Sequence, residues 1–519
     1  MQNYLRTRGM MCFWVIVLAI FFCQTDPSHA QTPKRGGWLK VATDAEAVGL
    51  DPHLSMVMST FTFTEHVYQC LLRYNDKMEL EPCLATSWEQ PDPLTYIFRL
   101  RKEVKFHNGR EMTSEDVKYS FDRILDPKTG SPTAGLIKPV KSVEVIDKYT
   151  VRFRLKETFP DFLNFAAFER NTAIIPKEEI SKHGTLQKVM VGTGPFKLKE
   201  YKHGVSATYV RNEDYWEKGI PYIDGFDLLV VKDEASRLAG IRRSAYDIAW
   251  VKSIDMAKLA AKEPHMVTAK SLASRQGRFW LNHERFPFNN LKLRQAVSAS
   301  IDRQAIIDKV LSGEGVLSSI IPPCTAPYAM SQEEIAKLPF YKQDYDLAKK
   351  LLKEAGYPNG FEFTIKTSPH SPDYVPASEM IVEQLSKVGI KAKIQQMDWG
   401  VFQKVRRTKD FEANYFAGSW RADAAGYFYE YFRGGLPANE TGQNNPEINR
   451  LMDLCQTEPD VEKSKKYYRE LQQKVAEDVS GIFTYAMESR IEFVNRKIKG
   501  YQFMGNSGRA YIRQAWISQ

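Results

Sequence analysis

Apolar and polar positions in this chain repeat with two different periods, and the balance between them changes part-way along. Trp38–Thr43 reads as a strand, and Leu50-Asp51-Pro52 after it is a turn signal. Residues 96–101 alternate apolar with charged side chains, the period of a half-buried strand. His107-Asn108-Gly109 turns the chain, and Thr113 with Asp116 three residues on makes a variant of the capping box that opens a helix. Val117, Phe121 and Ile124 supply that helix's buried stripe, and Pro127 stops it. Val143 and Val145 before Asp147-Lys148, with Val151, Phe153 and Leu155 after it, predict a β-hairpin. Phe196, Leu198, Val205, Ala207 and Tyr209 repeat that arrangement around His203-Gly204.

Past about residue 285 the pattern turns from β-rich to alternating helix and strand. Leu347, Leu351, Leu352 and Ala355 form a helical stripe ending at Gly356, and Phe361, Phe363 and Ile365 follow as a strand. Met380, Ile381, Leu385 and Val388 make a second stripe stopped by Gly389, with Ile390, Ala392 and Ile394 as its strand. Helix, glycine stop and strand, twice over, predict an α/β domain with partly parallel strands. No repeat, low-complexity tract or Gly/Ser linker separates the parts, so several chain crossings between packed lobes fit better than beads on a string.

The N-terminus carries a different signal. Arg6 and Arg8 precede an apolar run over residues 10–22, and Ser28-His29-Ala30 places small residues where a signal peptidase reads. Charge, short apolar core and cleavage site stand in the order of a secretory signal peptide. The run falls short of the ~20 residues a spanning helix needs. An uncleaved anchor and lipid modification at Cys23 are the alternatives, the latter opposed by the bulk of Phe21-Phe22. The expected mature chain begins at Gln31 and keeps Cys70, Cys83, Cys324 and Cys455, which allow three pairings. Cys70 and Cys83 flank the turn-like Tyr74-Asn75-Asp76, so either they pair or the cysteines are buried thiols.

Composition adds bounds. At 519 residues the length suggests about three domains. An apolar share of 43% is too high for disorder, and no second long apolar run exists for a membrane bundle. The net charge of +9 is spread out, with no basic block that would track nucleic-acid phosphates. The 9 Trp, 25 Tyr and 29 Phe could line a large pocket or fill a core.

No enzyme motif stands out. There is no His-Glu-x-x-His helix, Gly-x-Ser-x-Gly elbow or phosphate loop ending in Gly-Lys-Ser/Thr, and no Cys-x-x-Cys. Gly192-Thr193-Gly194 leads through Pro195 into a strand rather than a helix, which argues against a dinucleotide loop. His183 and His203 read as solvated or core histidines, and Arg242-Arg243 and Lys404, Arg406, Arg407 as solvated helix faces.

One pattern spans nearly the whole mature chain. Leu84-Ala85-Thr86-Ser87-Trp88 leads to Leu94-Thr95-Tyr96-Ile97-Phe98-Arg99-Leu100-Arg101, then Val104-Lys105-Phe106-His107-Asn108-Gly109 and Thr113-Ser114-Glu115-Asp116-Val117. Further on stand Gly192-Thr193-Gly194-Pro195-Phe196, Arg211-Asn212 with Tyr215-Trp216, Leu293-Arg294-Gln295-Ala296-Val297 with Ile301-Asp302-Arg303, and Glu354-Ala355-Gly356-Tyr357-Pro358. The set resembles the extracellular solute-binding proteins of family 5, the peptide, nickel and oligosaccharide receptors of ABC importers. The resemblance implies a two-lobed α/β clamshell of the periplasmic-binding-protein type II, with an extra β-rich domain. Lobe I would take residues 31–75, 186–285 and 485–519, the extra domain 76–185 and lobe II 286–484.

It further implies a periplasmic monomer without catalysis, cofactor or bound metal. Such a protein captures a small solute, most simply an oligopeptide, and hands it to a membrane permease. An oligosaccharide or other aromatic-stacking solute is the alternative, and a secreted hydrolase the remote one. Tyr415-Phe416-Ala417-Gly418-Ser419-Trp420-Arg421-Ala422-Asp423 resembles the family's Gly-Trp-x-x-Asp stretch. By that resemblance Asp423 accepts a peptide's α-ammonium and Trp420 walls the site, against the bland reading of an exposed loop. Where relatives continue with Asp-Pro, this chain has Ala424-Ala425-Gly426-Tyr427, and Tyr427, Phe428, Tyr429, Tyr431 and Phe432 make the loop aromatic. Trp399 and Trp250 fall at cleft positions of relatives or pack in the core. Ala47, Val48 and Gly49 fall where relatives pair backbone with an extended peptide. N-terminal sequencing of the exported protein is expected to start at Gln31, and an intact Met1 would overturn the cleavage reading.

Overall fold

The computed structural model describes residues 32–55, 57–75, 79–159, 162–167, 172–251, 253–269, 275–323, 325, 327–419, 429, 432–436, 439–458, 460–487, 491–501 and 510–518. The signal segment, Cys324, Trp420, Asp423, Tyr427, Phe428 and Tyr431 lie outside them. Three larger sheets organise the rest. The first has seven strands in the spatial order Met266–Ala269, Ile491–Asn495, Ile248–Val251, Trp38–Thr43, Gly225–Val230, Ser206–Arg211 and Phe196–Lys202. Trp38–Thr43 runs parallel to both its neighbours, and every other pairing is antiparallel. A strand buried on both faces needs apolar residues at successive positions. Leu39 and Val41 enter one core with Phe196, Tyr209 and Phe226, while Ala42 enters the other with Leu238, Ile241 and Phe493.

The four-stranded sheet, Ala85–Asp92, Thr95–Leu100, Thr150–Leu155 and Val140–Asp147, is antiparallel throughout. Helix Ser114–Leu125 covers one face with Val117, Phe121 and Ile124, all fully buried. The Phe121 ring meets Phe153 edge-on at 4.7 Å. Asp116 accepts from the Thr113 backbone N–H at 2.9 Å, the reciprocal arm of the capping box. Gly192 and Gly194 have a packing role rather than a phosphate-binding one: a Cβ on either would run into the Val67 carbonyl.

The five-stranded sheet runs Lys391–Gln396, Glu362–Thr367, Ala413–Ser419, Arg275–Leu281 and Ile482–Met487. Glu362–Thr367 is parallel to both neighbours, as the helix–glycine–strand pattern predicts. Helices Tyr345–Glu354 and Tyr374–Ser386 each precede a glycine in the left-handed region, Gly356 at φ 86° and Gly389 at φ 85°. The first strand of this sheet, Arg275–Leu281, lies ahead of the change of pattern near residue 285. It is buried on both sides from Gln276 onward, so it shows no period of two.

Two side-chain readings change. Cys70 and Cys83 are buried thiols: Cys83 packs in the core of the four-stranded sheet, and Cys70 Sγ lies 3.6 Å from Thr172 Oγ1. Arg406 is not solvated. Its guanidinium lies 3.5 Å from the Phe416 ring centroid and donates to both Glu440 oxygens at 2.7 and 2.8 Å, so the charge is buried against a partner.

One buried histidine, His53, and two half-buried ones, His107 and His283, make stability depend on pH. His53 Nε2–H donates to the Ala173 carbonyl at 2.8 Å while Nδ1 accepts from Arg123 Nη1 at 2.9 Å. Both nitrogens are occupied in the neutral ring, and a second proton would face a guanidinium. Burial, then Arg123, pushes His53 down to about 4. Burial, chiefly, pushes His107 to about 4 and His283 to about 3. Below the unfolded value near 6.5 the unfolded chain takes up protons that the native rings refuse. Stability is therefore whole above about pH 6.5 and falls as pH drops toward 4, by at most about 1.4 kcal/mol per pH unit for each ring. Urea unfolding across pH 4–7 is expected to show that slope, reduced in His283→Asn; equal slopes for the two proteins would contradict it.

Candidate functional site

Open α/β sheets bind ligands beyond the carboxyl ends of their parallel strands, where loops diverge and backbone groups lack partners. In the seven-stranded sheet Thr43, Val230 and Val251 end at one edge, where Met266–Ala269 also ends and Ile491–Asn495 begins. In the five-stranded sheet Thr367, Gln396 and Ser419 end at one edge, with Arg275 beginning and Met487 ending there. Residues 270–274 join Ala269 to Arg275, and residues 488–490 join Met487 to Ile491. Both passages between the sheets thus leave from and arrive at these carboxyl-end edges.

On the five-stranded edge a charged cluster is already assembled. Arg275 Nη2 donates to Asp373 Oδ1 at 2.8 Å and to Ser371 Oγ at 2.9 Å, and the Tyr485 hydroxyl donates to Asp373 Oδ2. Burial would raise the Asp373 carboxyl, but Arg275 and the hydroxyl donors outweigh it and hold the group below its usual range. Beside the cluster, Trp399 opens helix Trp399–Arg407, half-buried, and stacks on the His370 ring with centroids 4.3 Å apart and planes 12° from parallel. Trp250 differs: only 1% exposed, it lies beneath the Arg237 guanidinium and presents no face to solvent.

On the seven-stranded edge the segment after Trp38–Thr43 forms a lip. Ala47 is buried, whereas Val48 is 77% exposed. Their N–H groups are taken, by Glu46 Oε1 at 3.0 Å and Thr60 Oγ1 at 3.2 Å, and the carbonyls of residues 47–49 accept from no described residue. At Gly49 the lip lies directly against the Gln187 side chain, which a Cβ there would displace. Between the lip, residues 187–191 and the edge strand Phe196–Lys202 lies a recess of about 950 Å³. His183 borders it, with Glu179 Oε2 lying 3.4 Å from its Nε2.

Asp51, wholly buried, ties these walls together. It accepts from Arg123 Nη2 at 2.7 Å and Nη1 at 3.0 Å, from His53 N at 3.0 Å and from Leu186 N at 3.3 Å. Burial raises its carboxyl, and the Arg123 guanidinium more than reverses that, leaving it below the usual range.

Residues 79–440 match the bacterial extracellular solute-binding proteins, family 5. The chain belongs to that family. It is 26% identical to the oligopeptide-binding protein AppA of Bacillus subtilis over 549 aligned positions, 99% of each chain. Heme-binding protein A of Haemophilus influenzae is 29% identical over 82% of each chain. Among solved structures, HbpA2 from Haemophilus parasuis superposes with a TM-score of 0.84 at 25% identity, covering 93% of this chain and all of that one. AppA of Bacillus subtilis in complex with a nonapeptide gives 0.71 at 26% identity, covering 94% and 100%. The fold is the family's α/β clamshell with its extra β-rich domain.

In this family 5 protein Trp399 stands at the five-stranded edge and Ala47–Gly49 at the seven-stranded edge, while Asp423, Trp420 and Tyr427 lie outside the described residues. Sequence reasoning missed Arg275, Asp373, Tyr485 and His370. Arg275 and Asp373 are 98 residues apart, so nothing local announces their pairing. The Asp51–Arg123 pair was equally hidden, although Asp51 stood out as a turn residue. Arg123→Ala would leave a buried carboxylate without its cation, a loss of about 3–5 kcal/mol. Urea unfolding at neutral pH is expected to read that loss, and a change under 1 kcal/mol would refute the anchoring role of the pair.

Proposed function

We propose that the mature protein, cut before Gln31, works in the periplasm as a monomeric receptor that captures an oligopeptide and delivers it to the permease of an ABC importer, without catalysis. Lobe I takes the seven-stranded sheet, the extra domain the four-stranded sheet and lobe II the five-stranded sheet. The observation carrying this reading is that both passages join carboxyl-end edges. A solute held there is touched by groups of both sheets, and contacts made only when they close drive the closure. Family membership, and AppA, whose solved complex holds a nonapeptide, support the peptide as ligand.

Within that cleft Asp423 receives the peptide's α-ammonium, with Trp420 and Tyr427 as walls, Trp399 as a ring surface from lobe II and the lip carbonyls of residues 47–49 as acceptors. Trp250, 1% exposed beneath the Arg237 guanidinium, offers the ligand no ring face. A second reading, a ring-bearing solute, is favoured by the half-buried Trp399 stacked on His370 and by the likeness to heme-binding protein A. Calorimetry with tetraalanine and its N-acetylated form separates them. A hydrogen bond to a charged group contributes about 1.5–3 kcal/mol. Asp423→Asn is therefore expected to weaken tetraalanine about 10–100-fold and to leave the acetylated form unaffected. Equal affinity of native and variant protein for tetraalanine would sink the ammonium contact, and heme or an oligosaccharide binding where neither peptide does would select the second reading.

A further inference from the structure

We propose that the recess beside the lip selects carboxylate-bearing ligands, so that the solute of this receptor is an acidic oligopeptide. The inference rests on the peptide reading above and narrows it. Four lysines border the recess: Lys182 from helix Lys177–His183, Lys188 from the segment facing the lip, and Lys197 and Lys199 from the edge strand. Among the described residues none of the four ammonium groups enters an ion pair, whereas Lys148, Lys202, Lys292, Lys409 and Lys474 all do. The recess has two carboxylates, and both are engaged. Glu179 accepts from Asn108 Nδ2 at 3.0 Å and faces His183, and Glu200 lies 3.1 Å from Lys202 Nζ. Four uncompensated cations around a concavity concentrate a positive potential inside it, which a flat surface with the same charges would not do.

The remaining surface fits a peptide better than a free inorganic anion. Val48, Val189, Leu198 and Tyr201 give the recess apolar walls, and its volume lies near the upper end of the ~300–1,000 Å³ typical of small-molecule sites. Phe196–Lys202 is the last strand of its sheet, so its outer edge faces the recess with no strand beyond it. The lip across from it offers the carbonyls of residues 47–49. An extended segment lying between edge and lip has backbone partners on one side, apolar contacts along its stem and ammonium groups within reach of acidic side chains. The recess runs along the edge strand: its hairpin tip at Lys202 and Ser206 is level with Leu229 and Ala42 near the carboxyl-end edge, and Lys197 is level with Trp38 at the other end, while the lip after Thr43 borders the recess from the carboxyl-end side. A ligand that extends from the cleft past the lip enters it.

The test is calorimetric, on the full mature chain, with Ala-Ala-Glu-Glu, Ala-Ala-Gln-Gln and Ala-Ala-Lys-Lys as probes. Several solvent-facing ion pairs of modest strength together amount to a factor on the order of ten. The glutamate peptide is expected to bind about tenfold tighter than its glutamine counterpart and the lysine peptide more weakly than both. The gap should shrink at high salt, which screens exposed charges. In the Lys188→Gln, Lys197→Gln double variant the glutamate peptide should fall to the glutamine value while the glutamine peptide is unchanged. That unchanged affinity separates lost charge from lost folding. Equal binding of glutamate and glutamine peptides to the native protein would overturn the acidic preference and leave the peptide reading standing. No binding by any of the three would overturn both.

Discussion

The buried carboxylate of Asp51 is the interaction on which the rest of the site depends. A lone anion with no exposure is untenable in a protein interior, so its position dictates that a cation and N–H donors come to it. Those donors belong to three stretches of chain: Arg123 on the helix over the four-stranded sheet, His53 just past the turn, and Leu186 in the segment that walls the recess. Satisfying one carboxylate thus joins the seven-stranded sheet to the four-stranded sheet and fixes the lip at residues 47–49. His53 shares the arrangement, its ring kept neutral by burial and by the guanidinium that bonds it.

A second constraint comes from topology. Parallel strands place their carboxyl ends together, and both passages between the two large sheets start and finish at such ends. A solute-binding function follows from this: contacts from both sheets meet at one place, and a solute that engages both favours the closed arrangement by its differential affinity. Each edge also has its own character. The five-stranded edge presents rings and an Arg275–Asp373 pair already satisfied internally, whereas the lip side presents ammonium groups left uncompensated among the described residues.

Much of the fold was legible in the sequence. The capping box at Thr113 and Asp116, the hairpins around Asp147-Lys148 and His203-Gly204, and both helix–glycine–strand units occur where the pattern placed them, because each rests on neighbours within a few residues. The misses share a cause. Arg275–Leu281 is covered on both faces and so lost its alternation, and Arg406 looked solvated until Glu440 and Phe416 enclosed it.

The sequence by itself determined the periodic elements, the export signal as an expectation, and the family, since motifs in the right order need no contacts to be read. Tertiary structure alone decided which charges are paired and which are not. Arg123 finds Asp51 across 72 residues and Arg275 finds Asp373 across 98, while Lys188 and Lys197 find no carboxylate among the described residues. The physical reason is that periodicity is a property of adjacent residues, whereas electrostatic compensation depends on distances in space, which only the folded chain sets.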